Sequence, residues 1–371
     1  MSVKCLRSAR RNRDVTRGHG MRQAKYGPTP GISPLNWGAG CRQFGVQLLR
    51  GQAQVVFLSS VPAGALLAVA LFAAGWEYGL YAIAGTALGT ATSRLLGADR
   101  ERVSTGLEGF NACLTALCFA VFLGAGHLST ALLAAAGCVV VTVVTAAVVN
   151  LLGVWNLPSL TLPYCLLASA MTTAAPGFER IWHHGDGLAA LTSAATGPTS
   201  LGFSDLWHGF FTGFAEIFFM PQWYVGALIL AALLVASRRA AAVAGVGSLV
   251  GILSAWALGA PTAQIADGTM GYNAILVALA LCGVFLEAGP RTLAYAMVGA
   301  FTATAATSAM AAVFAPSGGH TFTWPFVLTT FAFLAAARSF PGLRTSAPAP
   351  AVPEPMAAGT LSAQPPAPQA P

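Results

Sequence analysis

Long apolar runs, broken by charges or by Gly/Pro clusters, fill most of the chain from about residue 60 to residue 338. One set of five lies at about 60–75, 78–96, 106–125, 129–152 and 160–175. A second set lies at about 223–237, 240–258, 268–287, 290–314 and 323–338. Such runs predict membrane-spanning helices, which need roughly 20 apolar residues to cross ~30 Å of hydrocarbon. Two shorter runs, about 42–58 and 207–220, precede the sets and carry one polar residue each, Gln54 and Glu216. A segment too short to cross, with a polar group inside it, predicts a re-entrant half-helix lining a cavity.

The two sets align at a fixed offset of 162 residues. Gly51 falls on Gly213, Gln54 on Glu216 and Phe57 on Phe219. Asn111 falls on Asn273, Leu114 on Leu276, Thr161 on Thr323 and Pro163 on Pro325. Chance matches arise among common Ala and Gly, but not at Asn, Thr and Pro in one register. Five spans is an odd number, so a second copy inserts upside down relative to the first. The expected fold is therefore an all-α membrane protein of ten transmembrane helices in two inverted five-helix repeats, each with a re-entrant half-helix. That architecture belongs to channels and transporters, with the pathway at the repeat interface.

Composition narrows the class from another side. Only 8% of the 371 residues are charged and 56% are hydrophobic, and mean hydropathy is +0.67. A soluble domain carries about 25% charged residues, so a cytosolic enzyme, a nucleic-acid-binding domain and a disordered chain are excluded. The net charge of +7 is not a nucleic-acid signal, because ten of the 19 Lys and Arg lie in residues 1–50. They read as a basic, cytoplasmic topology signal. Beyond residue 50, Arg94, Arg100, Arg102, Arg238, Arg239, Arg291, Arg338 and Arg344 fall on the inner side of the ten-span topology, and only Arg180 falls outside. Both termini are then cytoplasmic and the protein is a multi-pass protein of the cell's inner (plasma) membrane. The expected organisation is a basic tail at 1–37, a first membrane repeat at 38–175, an external linker at 176–206, a second repeat at 207–340 and a disordered Ala/Pro-rich tail at 341–371.

An ion pathway needs charge or a coordination cage. Glu216 is the only acidic residue well inside an apolar run, Glu108 sits near the start of one, and no Lys or Arg lies deep. The features shared by the two halves are neutral. A Phe lies near each polar residue, a Gly-rich turn carries Asn, and a Thr stands beside a Pro whose missing N–H frees a carbonyl. They suit a small, neutral, hydrogen-bonding solute. Asn111 and Asn273 read as structural groups holding a broken turn.

These motifs resemble the urea transporter family. Gly-Leu-Glu-Gly-Phe-Asn at 106–111 and Gly-Thr-Met-Gly-Tyr-Asn at 268–273 are similar to its paired third-helix motif. Thr-Leu-Pro-Tyr at 161–164 and Thr-Trp-Pro-Phe at 323–326 are similar to its paired fifth-helix motif, and Gln-Val-Val-Phe at 54–57 to its first re-entrant segment. The resemblance implies a homotrimer in the lipid bilayer with one pore per protomer and passive, channel-like permeation of urea. It also implies roles. Phe57 and Phe110 form one slot, and Phe219 and Tyr272 a second, each sandwiching the flat solute. Gln54 and Glu216 accept hydrogen bonds from solute NH₂ groups. Thr161 and Thr323 meet at the constriction, Leu114 and Leu276 narrow the slots, and Pro163 and Pro325 support them. Where the family has Asn-Pro after each re-entrant helix, this chain has Ser60-Val61 and Gln222-Trp223. Tyr272 stands in place of a Phe.

Two other readings stand beside this one. A transporter of another small neutral amide or amine would couple to protons through Glu216. A non-transporting scaffold or sensor would move nothing. No nucleophile–base constellation, phosphate loop or zinc motif appears, so no enzyme activity, cofactor or metal is expected. His183, His184 and Asp186 read as a solvated loop, and the seven cysteines as small buried hydrophobes.

Overall fold

In this computed structural model the described residues are 35–183, 187 and 197–346. The expected tails fall largely outside them, as do His184 and Asp186. The chain divides into two compact units, Met1–Arg42 and Gln43–Pro371, and all packing below lies within the second.

The described residues are helical. In the first half α1 spans Leu35–Ala53, α2 Val61–Ala74, α3 Trp76–Leu95 and α4 Arg100–Thr105. They are followed by α5 at Phe110–Leu123, α6 at Leu128–Gly153 and α7 at Leu162–Ala174. In the second half α8 spans Phe203–Ala215, α9 Trp223–Ala236, α10 Arg238–Ala257 and α11 Thr262–Ala266. They are followed by α12 at Tyr272–Leu279, α13 at Pro290–Phe314 and α14 at Trp324–Ala337. Helices α2 to α7 begin 162 residues before α9 to α14, without exception. The one large departure is α12, which ends at Leu279 and passes into a wide turn with a break at Cys282 and Gly283.

The surface is inverted relative to a soluble protein. Val139, Val140, Val143, Val298, Phe301 and Val313 are exposed on α6 and α13. By contrast, every residue of α5 and of α12 is buried, which is how a helix apolar on all sides behaves at the centre of a bundle. Small residues let the neighbours close on these helices. Gly85, Thr86 and Gly89 of α3 are buried in the face that packs on α5, and Gly247, Ser248 and Gly251 of α10 in the face that packs on α12. Several buried hydroxyls are satisfied within their own helices, as in Thr86 to the Ala82 carbonyl at 2.7 Å and Thr115 to that of Asn111 at 2.8 Å.

Three helices among the described residues are long and apolar enough to cross a bilayer alone: α6, α10 and α13, the last extended to Ser317. Two more crossings arise if each bent pair counts as one. The helix ending at Val56 meets α2 at 77°, and that ending at Phe218 meets α9 at 78°. The bends have one cause in both halves. A single 3₁₀ turn, Gln54–Val56 or Glu216–Phe218, ends on a left-handed residue, Phe57 (φ 61°) or Phe219 (φ 62°). The next amides reach back, Leu58 N–H to the Ala53 carbonyl at 3.0 Å and Met220 N–H to that of Ala215 at 3.2 Å. This is a Schellman stop, normally made with glycine. A phenylalanine there costs about 1–2 kcal/mol of backbone strain, held by the packing around it. The turns therefore need no Asn-Pro. In the first half Ser60 caps α2, accepting from Ala63 N–H at 3.4 Å, with Pro62 in the first turn.

A second paired break precedes α5 and α12. Gly106 (φ 88°) and Gly268 (φ 83°) lie so close to the α1 and α8 backbones that a Cβ would sit 2.5 Å from Arg50 C and from Gly213 N. Only glycine fits this approach.

Candidate functional site

Thr161 and Thr323 stand just ahead of α7 and α14. Their hydroxyls meet at 2.6 Å, 162 residues apart in sequence. Both are buried. The Cys165 thiol also reaches the Thr323 hydroxyl, at 3.1 Å. Pro163 and Pro325 fall in the first turn of their helices. There a missing N–H costs nothing, so they start these helices and do not interrupt a span.

Gln54, Phe57, Phe110 and Thr161 share the wall of one cavity of about 350 Å³. Four of the ten expected pore residues are thus brought together. The Gln54 side-chain amide donates to the Thr105 carbonyl at 2.9 Å and to Ser59 Oγ at 2.6 Å. Its NH₂ is engaged and its oxygen has no donor among the described residues, so it is left to accept. The sequence did not single out Phe285 and Phe326, which also line this cavity. They pack edge-on against Phe57 at 6.1 and 6.0 Å. Phe326 was findable, since it follows Pro325 in register with Tyr164. Phe285 was not, because its matched residue is Leu123.

Arg102 reaches the cavity wall too. Its Nε donates to Glu108 at 2.6 Å, and Ser93 Oγ donates to the other carboxylate oxygen at 3.2 Å. The charge at Glu108 is thus answered where it sits.

The second half differs. A cavity of about 340 Å³ has Tyr272, His320 and Thr321 on its wall, but Glu216, Phe219 and Thr323 do not line it. The Tyr272 hydroxyl donates to the Phe322 carbonyl. The Glu216 carboxylate has no hydrogen-bond partner among the described residues. Leu114 and Leu276 are fully buried in α5 and α12 and line neither cavity.

The asparagines tie α5 and α12 to the segments that carry the threonines. Asn273 donates to Thr307 Oγ1 at 3.3 Å and the Phe322 carbonyl at 3.4 Å, and accepts from Phe326 N–H at 3.2 Å. Asn111 makes one such bond, to the Leu160 carbonyl at 3.4 Å, and its oxygen is buried without a partner.

His183 lies in a loop and is half-buried. It bonds Ser129 Oγ at 2.9 Å and stacks on His127 at 3.6 Å. Among the described residues no three His, Cys, Asp or Glu come together as a metal site. Of six described cysteines none is in a disulfide. Five are buried, and Cys41, expected in the interior, is exposed.

An all-helical body with an exposed apolar surface, and a cavity whose wall carries one member of a buried hydroxyl pair, is that of a membrane transport protein. Residues 46–338 match the model of the urea transporter family. The chain is 31% identical over 296 residues to urea transporter 1 of Capra hircus, and 30% over 298 residues to that of Rattus norvegicus. Each alignment covers 79% of this chain and 77% of the relative. The chain belongs to the urea transporter family.

Proposed function

We propose that the chain is a passive urea channel, with Gln54, Phe57, Phe110 and Thr161 on one approach to the threonine pair. The observation that carries the reading is the first cavity in a chain of this family. Its wall offers a free amide oxygen, aromatic faces and a hydroxyl. Urea is flat and carries four N–H donors. Stripping its water is costly unless the wall replaces those bonds. A string of moderate sites lets the solute leave as readily as it enters. No chemical step is involved, and members of the family are transporters, not enzymes. Phe219, Tyr272 and Glu216 take the matching roles on the other approach, with Leu114 and Leu276 packed behind.

The proposed architecture is ten spans in two inverted repeats, at 38–175 and 207–340, with the linker between and a tail at either end. Matched helix starts and the twin Schellman turns support it. The protein would sit as a homotrimer in the inner membrane with both termini cytoplasmic.

Stopped-flow light scattering on proteoliposomes of the full chain tests the function. Urea equilibration faster than in protein-free vesicles is expected. Equal rates with folded protein would refute it. A second reading, a proton-coupled carrier of another amide or amine, is favoured by the unpaired Glu216. It requires pH-dependent uptake that Glu216→Gln abolishes, whereas the channel reading expects flux without pH dependence in both proteins.

A further inference from the structure

The two approaches to the threonine pair are not equally open. Around the first cavity the wall carries Pro158, Leu160 and Val284. The residues matched to these are His320, Phe322 and Phe122. Three small or aliphatic side chains are thus replaced by three rings. The rings close on one another. Phe122 and Phe322 lie 5.5 Å apart, and His320 lies 4.8 Å from Phe122 and 5.0 Å from Phe322. Phe219 packs on Phe122 and Phe322 from behind, at 6.2 and 6.5 Å. His320 lines the second cavity, while Phe219 and Tyr164 pack on Phe322 away from its lining. Phe322 is fully buried and pinned. Its backbone is left-handed at φ 44°, and its carbonyl accepts from Tyr272.

We infer that Phe122, Phe322 and His320 form the barrier that sets the size limit of this channel. The inference rests on the urea-channel reading and deepens it. A solute moving between the second cavity and the threonine pair has to displace these rings, and the displacement grows with its width. A planar solute the size of urea displaces them least. Packed rings resist such movement, because Phe122 and Phe322 are buried among close neighbours and, of the three, His320 alone borders the second cavity. In the first half the matched Val284, Leu160 and Pro158 form no such triangle, although Phe57, Phe285 and Phe326 stand on the same cavity wall.

The test compares urea with N,N′-dimethylurea in proteoliposomes. The variant F122V/F322L puts at each position the residue found at its match. Leucine already holds the same left-handed backbone at Leu160, φ 47°, so the exchange leaves the turn intact. The permeability ratio of dimethylurea to urea should rise at least about tenfold, the lower end of the discrimination a single carbon carries in an apolar pocket, of which dimethylurea adds two. The reverse exchange, V284F/L160F, should slow both solutes. Should the double variant not fold, F122V alone carries the comparison, with a smaller rise expected. An unchanged ratio in a folded variant that still conducts urea would overturn the inference. Absence of urea flux in the wild type would instead defeat the channel reading beneath it.

Discussion

The threonine pair offers the sharpest test of the proposed pathway. Replacing both residues by valine keeps shape and removes two hydroxyls that now meet at 2.6 Å in a buried setting. A urea molecule at this point would exchange its bonds to water for bonds to these oxygens. Each such bond is worth about 0.5–1.5 kcal/mol net. Losing both raises the barrier by about 2 kcal/mol, which is roughly a 30-fold fall in permeability at 1.36 kcal/mol per decade. Stability should respond differently. In the double variant both partners vanish together, which is close to neutral. Thr323→Val alone leaves the buried Thr161 hydroxyl without its 2.6 Å partner. That should cost about 1–3 kcal/mol. The single variant is thus expected to unfold at a lower temperature than the double. Stopped-flow permeability and thermal unfolding in detergent read the two effects. Wild-type permeability in a folded double variant would show that the constriction lies elsewhere.

Other outcomes follow from the same geometry. Tyr272→Phe releases the Phe322 carbonyl from its hydroxyl partner and restores an acceptor on the second approach, so urea permeability should rise in the same stopped-flow assay. Asn273→Ala removes three hydrogen bonds and Asn111→Ala removes one. At about 1 kcal/mol each, thermal unfolding should show the former as the more destabilised by about 2 kcal/mol. Gly64→Ala would place a Cβ 1.9 Å from the Leu49 carbonyl oxygen, and Gly226→Ala one 1.8 Å from that of Phe211. Both force α2 or α9 away from its re-entrant partner, and gel filtration should show little folded protein for either.

The sequence made the helices legible because the apolar runs are long and the 162-residue register repeats them. It made the threonine pair legible for the same reason, since a match at Thr and Pro is rare by chance. What it could not show is where the two halves stop being alike. Leu160 and Phe322 are matched apolar residues on paper, and their difference becomes meaningful only when one lines a cavity and the other fills the space. The Schellman turns were hidden too, because a phenylalanine in the left-handed region breaks the propensity rule that marks such stops with glycine. Arg102 read as an inner-loop charge, yet its side chain folds back onto the cavity wall.

That arginine bears on what the pathway can carry. An isolated cation on the wall would favour anions and hold them. Here the guanidinium lies 2.6 Å from the Glu108 carboxylate, so the field of the pair falls off faster than that of either charge. The other polar wall groups around this cavity are an amide oxygen and hydroxyls. A small ion entering it would exchange a full hydration shell for a few dipoles, and a desolvated ion without a cage is strongly disfavoured. A neutral solute with N–H groups loses less water and meets an acceptor that no other donor occupies. On the proposed pathway, selectivity of the first approach for neutral molecules would come from cancelled charge, and the aromatic triangle of the second approach would add a limit on width. Neutrality and width would then be read at different places, so a substitution at one should leave the other intact.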